Sequence, residues 1–202
     1  MTENFLNKVY AVRGEEETRA LYDAWATSYE AEVAENGYAT PGRCAAALAK
    51  VTADLTAPVL DFGCGTGLSG LALRLAGFTT IDGVDISEEM LRHAAAKDVY
   101  RNLTRIEGDA GSTAKTYGAI AAIGVIGSGA APVSVLDMLM KALPRDGRLV
   151  FSFNDHTLND PIYEGRISEW TDCGAARLIF REHGDHFPKL KINSNVYILE
   201  KT

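Results

Sequence analysis

The 202-residue chain is poor in several features that would mark a function class. Its three cysteines, Cys44, Cys64 and Cys173, are odd in number and widely spaced, with no CxxC and no partner histidine spacing. That pattern excludes a disulfide framework and a zinc-type cluster, so no metal is expected. A basic excess is also missing: 20 Lys and Arg stand against 27 Asp and Glu, a net charge of -7. A long phosphate-tracking surface needs clustered cations, so nucleic acid is disfavoured as a partner. The longest apolar run, Ala119 to Val133, is broken by Gly124, Gly127 and Gly129 and is too short to span a bilayer. Met1-Thr2-Glu3-Asn4 lacks the basic start and apolar run of a signal peptide. The expectation is a cytoplasmic protein without membrane attachment, its oligomeric state unread. No repeat or linker divides the chain, so 1–202 is expected to form one domain, with 1–50 as a helical cap on a core of 51–202.

What is present centres on Val59-Leu60-Asp61-Phe62-Gly63-Cys64-Gly65-Thr66-Gly67, a short apolar run that carries an acid and passes into alternating glycines. Glycine at alternate positions removes the Cβ atoms that would keep a ligand off the backbone, and it permits positive φ in a tight strand-to-helix turn. Leu68, Leu71, Ala72 and Leu75 then follow at helical spacing, so the loop opens onto a helix N-terminus. This is the pattern of a cofactor loop.

The remaining punctuation places helices and strands around that loop. Glu15 to Glu17 begin a helix carrying Leu21, Tyr22, Trp25 and Tyr29, aromatics that serve either as core or as lining of a site. Thr40 and Pro41 form an N-cap and first-turn pair for an alanine-rich helix through Lys50. Past the loop, Gly77 reads as a C-cap, Thr79 to Val84 as a strand ending at Asp85, and Ser87 as the cap of the next helix. Leu103 to Glu107 is a third strand closed by Gly108-Asp109-Ala110, Ala119 to Val125 a fourth, and Leu149 to Phe153 a fifth. Pro132 opens a helix between the last two. Ala176 to Arg181 and Asn195 to Leu199 then form two strands joined by a loop containing Gly184 and Pro188. The alternation predicts an α/β fold, a Rossmann-like, mostly parallel seven-stranded sheet with a C-terminal antiparallel hairpin and an N-terminal helical cap.

Two glycine fingerprints overlap in the loop. Gly65-Thr66-Gly67-Leu68-Ser69-Gly70 is a literal GxGxxG, and Asp85 stands where a nicotinamide enzyme would place its ribose acid. Asp61 and Gly63, however, lie upstream of that hexapeptide, Asp109 adds an acid that could accept from an exocyclic amine, and the final hairpin departs from an all-parallel sheet. Together these residues resemble the class I S-adenosylmethionine-dependent methyltransferases, whose first motif is similar to Leu60 through Gly67. Tyr22-Asp23-Ala24-Trp25-Ala26, Tyr38-Ala39-Thr40-Pro41, Gly83 through Ser87 and Val99-Tyr100 resemble, more narrowly, the small methyltransferase-like proteins of the Williams-Beuren region and their bacterial relatives.

The resemblance implies S-adenosylmethionine as cofactor. It places Asp61 near the methionine moiety, the backbone of Gly63, Cys64, Gly65 and Gly67 beside the cofactor, and Asp85, with Ile86 following, at the ribose hydroxyls. It assigns adenine to Asp109 and Ala110, and adds Tyr22, Tyr29 and Gly124 as contacts. Gly118 departs from the family pattern, which often has an acid there. Transfer from a sulfonium needs alignment and a water-poor pocket rather than a catalytic triad. If the acceptor requires a base, His156 after the fifth strand leads, with Tyr163 next and His183 and His186 in the hairpin loop behind them. The segment after the fourth strand, Ile123 to Ser128, lacks the Asn/Asp-Pro-Pro-aromatic cluster that amino-methylating nucleic-acid enzymes use. With the acidic balance, this points to a small-molecule acceptor. The alternatives are an NAD(P)-dependent oxidoreductase and a non-catalytic cofactor-binding protein of the same fold.

Overall fold

The computed structural model describes residues 15–107, 114 and 116–202. Helix α1 (Glu15–Glu35) and helix α2 (Thr40–Val51) precede strand β1 (Val59–Phe62), helix α3 (Leu68–Leu75), strand β2 (Ile81–Asp85) and helix α4 (Glu88–Ala95). Strands β3 (Asn102–Arg105) and β4 (Ala119–Ala122) follow, then helix α5 (Ser134–Ala142), strand β5 (Arg148–Asn154), the one-turn α6 (Asp155–Leu158) and α7 (Pro161–Asp172). Strand β6 (Ala176–Phe187), a 3-10 turn at Pro188–Leu190 and strand β7 (Ile192–Lys201) complete the order.

The seven strands form one sheet in the order β3-β2-β1-β4-β5-β7-β6. Strands β1 to β5 pair in parallel, and β7 runs antiparallel between β5 and β6. The expected Rossmann-like sheet with a C-terminal antiparallel hairpin is therefore present. It differs from the dinucleotide-binding order 3-2-1-4-5-6 by the antiparallel strand beside β5.

Period-two alternation explains the layers. Leu60 and Phe62 of β1 face Leu136 and Leu139 of α5, whereas Val59 faces Cys44 and Leu48 of α2 and Leu73 of α3. In β5, Leu149, Phe151 and Phe153 point one way and Val150 the other. Strands covered on both faces are buried at every position, as β1 is. Because its alanine face packs on the sheet, α2 is a layer of the core. Trp25 and Val33 of α1 pack on Phe187 at the end of β6.

Three local expectations are corrected. Thr40 does not cap α2, because Ala39 holds that position and Thr40 Oγ1 turns inward to His186 Nδ1 and Ser194 Oγ, at 2.7 and 3.0 Å. His183 and His186 lie within β6 rather than in a loop, since β6 continues through Gly184 to Phe187. Gly184 admits the Arg43 guanidinium, whose Cζ is 3.0 Å from where a Cβ would stand. Finally, β4 ends at Ala122, short of Val125, where Gly124 turns the chain at φ +71. Helix α7, unread in the sequence, starts where Asp160 Oδ1 accepts from Ile162 N–H at 3.0 Å with Pro161 in the first turn.

Among the described residues, no helix is long and apolar enough to cross a membrane. Nor does any group of three or more His, Cys, Asp or Glu among them converge as metal ligands.

Candidate functional site

The carboxyl ends of β1, β2 and β4 open into a cavity of about 560 Å³. It lies where the strand order reverses, the place at which open α/β sheets bind ligands. The glycine loop forms its floor. Gly63 and Cys64 N–H groups both donate to Val84 O, at 2.8 and 3.0 Å, and bend the chain off β1 toward β2. A Cβ on Gly63 would stand 2.5 Å from Val125 Cγ2, so only glycine fits this bend. Gly65 serves another purpose. At φ +52 its missing Cβ leaves open space on the cavity wall, and bare backbone is what a ligand would meet.

Asp85 fixes that backbone. Its Oδ2 accepts from Gly65 N–H at 2.8 Å and its Oδ1 from Ser87 N–H at 2.9 Å. Burial raises its carboxyl above the ordinary range, opposed by the backbone donors of Ser87, Gly65 and Ile86. Asp85 is the one charged side chain among the described residues of the wall, and Ile86 lies beside it.

Asp61, expected near the methionine moiety, lies at the carboxyl end of β1 just before the loop. It is fully buried and off the cavity wall, beneath the loop. Its Oδ2 accepts from Ser69 Oγ and Tyr100 OH, both at 2.7 Å. Its Oδ1 has no hydrogen-bond partner among the described residues. Burial pushes this carboxyl up to about 6, against the lowering effect of those two hydroxyls. Gly67 is likewise off the wall, as the left-handed N-cap of α3, and Cys64 lines the wall with a thiol raised by burial.

Helix α1 supplies the roof through Thr18, Tyr22 and Tyr29. Two polar ties hold it to α4: Ser87 Oγ donates to Asp23 Oδ1, and Lys97 pairs with Glu30. Trp25 sits between the two tyrosines, at 5.7 Å from the Tyr22 ring and 4.7 Å from the Tyr29 ring. The aromatic stripe therefore divides, with Trp25 as core and Tyr22 and Tyr29 as lining. Burial raises the Tyr29 phenol, which stays protonated.

The far wall comes from Gly124, Val125, Val135, Met138 and Tyr163. Tyr163, nearly buried against Phe153, has a phenol raised by burial. His156 is not on the wall. Asn154 caps α6 by accepting from Thr157 N–H at 3.0 Å, and the single turn that follows points Thr157 inward and leaves His156 exposed. His186 is also away from the wall; burial lowers its imidazole to about 4 and keeps it neutral. Asp109 and Ala110 lie outside the described residues.

Sequence reasoning missed Tyr38, Ser69, Val125 and Met138 as wall residues. Tyr38 had a signal, since it follows Gly37 at the helix junction. Its hydroxyl lies 2.6 Å from where a Cβ of Gly124 would stand, so Gly124 makes room for it.

Human methyltransferase-like protein 27 is 32% identical over 129 residues, covering 61% of this chain and 53% of its own length, so the chain spans about half of that relative. Magnesium protoporphyrin IX methyltransferase from Synechocystis PCC 6803, solved with bound SAM, superposes with a TM-score of 0.57 at 17% identity, covering 98% of this chain and 90% of its own. The ribosomal protein L11 methylase of Lactobacillus delbrueckii subsp. bulgaricus has a TM-score of 0.55 at 17% identity, with 78% and 77% covered. The 4+2 cyclase SpnF gives 0.58 at 13% identity, with 79% and 80% covered. These likenesses establish the fold. Residues 37–194 match the family model described as a methyltransferase domain, and the chain belongs to that methyltransferase family.

Proposed function

We propose that this chain transfers the methyl group of S-adenosylmethionine to a small-molecule acceptor. The observation that carries the reading is the bare Gly65 backbone held by Asp85 on a wall with no other charged side chain among the described residues. Asp85 would accept from the ribose hydroxyls, the loop from Gly63 to Gly65 would run beside the methionine portion, and Tyr22 and Tyr29 would close the roof. Asp109 and Ala110 are proposed for adenine. Thr66 Oγ1, buried on the same wall without a partner among the described residues, fits a site built for a polar ligand. When bound, the sulfonium supplies an activated methyl group with its own leaving group. The chain's part is to align the acceptor and to exclude water.

The wall supports an acceptor without anionic charge, because apolar Val125, Val135 and Met138 and four tyrosines line it and no Lys, Arg or His does among the described residues. Tyr163, protonated at neutral pH, would orient the acceptor as a hydrogen-bond donor or as a packing surface. His156 would have to turn inward to act as a base. Against the nicotinamide reading stand the antiparallel β7 beside β5 and the methyltransferase-domain model that matches residues 37–194.

Incubation with methyl-labelled S-adenosylmethionine and pools of small amines and phenols, beside RNA and protein pools, tests the reading. Label is expected in the small-molecule fraction. Label confined to RNA or protein would contradict the acceptor class.

A further inference from the structure

Gly70, the last glycine of the hexapeptide, does not reach the cavity wall. A Cβ there would lie 2.2 Å from the Tyr100 hydroxyl. Tyr100 comes from the segment between α4 and β3, and its ring carbons also lie 2.9 Å from the Cβ position of Gly83 and 3.2 Å from that of Gly67. Glycines in β2, in the loop and in α3 thus clear space for one side chain.

That side chain fills a gap in helix capping. The N-cap of α3 is Gly67, which has no side chain to offer the unpaired N–H groups of the first turn. Gly70 N–H donates instead to Tyr100 OH, at 3.1 Å. The hydroxyl in turn donates to Asp61 Oδ2, beside Ser69 Oγ. Burial and the Asp61 charge hold the phenol far above its ordinary range, so the proton stays on Tyr100 and the direction of the chain is set.

We propose that Tyr100 is a positioning residue of the cofactor loop: without entering the cavity, its hydroxyl caps α3 and orients Asp61, and so sets the backbone that the cofactor meets. This rests on the S-adenosylmethionine reading above. The ionisable groups around Asp61 are Tyr100 ahead of β3, Cys64 in the loop and Asp85 at the end of β2, while Lys97 beyond α4 is engaged by Glu30. The Tyr100 hydrogen bond favours the charged form of Asp61, so losing it moves the Asp61 titration to higher pH.

Tyr100→Phe keeps the ring that the glycines accommodate and removes only the hydroxyl. Calorimetric titration of wild type and variant with S-adenosylmethionine and its demethylated product, from pH 5 to 8, reads the effect. The variant is expected to bind about fivefold to tenfold more weakly, the loss of one cap, and its affinity is expected to fall off at a higher pH than that of the wild type. Equal affinity with an unmoved pH profile, even alongside a lower Tm, overturns the proposal. A wild-type protein that binds neither compound overturns the cofactor reading itself. Hydrogen exchange of the wild-type Gly70 amide provides a readout independent of the variant's folding: protection is expected, and exchange at the rate of an uncapped helix end overturns the capping role.

Discussion

Asp61→Asn is predicted to make the protein more stable and less able to hold its cofactor. The wild-type carboxyl is fully buried, and its pKa is pushed from 3.8 to about 6, chiefly by burial. A carboxyl raised on folding binds more protons in the folded than in the unfolded state between those values. Its charge therefore costs stability progressively as pH rises from 3.8 to about 6, and the full cost remains above that. The interval corresponds to about 3 kcal/mol. Asparagine keeps an oxygen for Ser69 and Tyr100 and puts an amide where Oδ1 now lacks a partner, at a smaller burial cost than a charge. Urea unfolding at pH steps from 4 to 8 should show the variant more stable by up to about 3 kcal/mol at pH 7.5, with the gap closing toward pH 4. His186 has the opposite sign: its imidazole falls from 6.5 to about 4 on burial, so its contribution is present above 6.5 and lost as pH falls through 4. The variant should therefore lose stability on acidification more steeply than the wild type. Equal stability at pH 7.5 with parallel pH profiles would refute the assignment of a strained buried charge to Asp61.

Asp85→Asn leaves one of the Gly65 and Ser87 amides facing an amide instead of a carboxylate, and should weaken S-adenosylmethionine binding by about 1.5–3 kcal/mol in calorimetry. Gly124→Ala puts a Cβ 2.6 Å from the Tyr38 hydroxyl at φ +71 and should lower Tm, with partial recovery in Gly124→Ala/Tyr38→Phe, since the second change removes the clash and leaves the backbone strain. Ser87→Ala removes the α4 cap, which accepts from Met90 N–H at 3.1 Å, together with the tie to Asp23. It should cost about 0.5–2 kcal/mol in denaturant unfolding and speed proteolysis of α1.

Features decided by a few neighbouring residues were legible in the sequence. The glycines at 63 and 65 announced positive φ, Ser87 announced a cap it does provide, and the strand and helix rhythm announced the sheet. Features decided by distant partners were not. Thr40 has the composition of an N-cap, yet its hydroxyl is claimed by His186 and Ser194, 146 and 154 residues away. Strand β6 outruns its apolar pattern because β7 pairs with it as far as Phe187, despite two irregularities in register. His156 follows the right strand, but a one-turn helix rotates it outward, which no periodicity over four residues could show. Tyr100 carries no mark of its role, since that role exists only where β2, the loop and α3 converge on it.

The most direct test of the cofactor assignment is calorimetric titration of the wild-type chain with S-adenosylmethionine, its demethylated product, NAD and NADP under one set of conditions. Saturable binding of the first two and none of the nicotinamide dinucleotides is predicted. Binding of NAD or NADP with no response to S-adenosylmethionine up to millimolar concentration would contradict it.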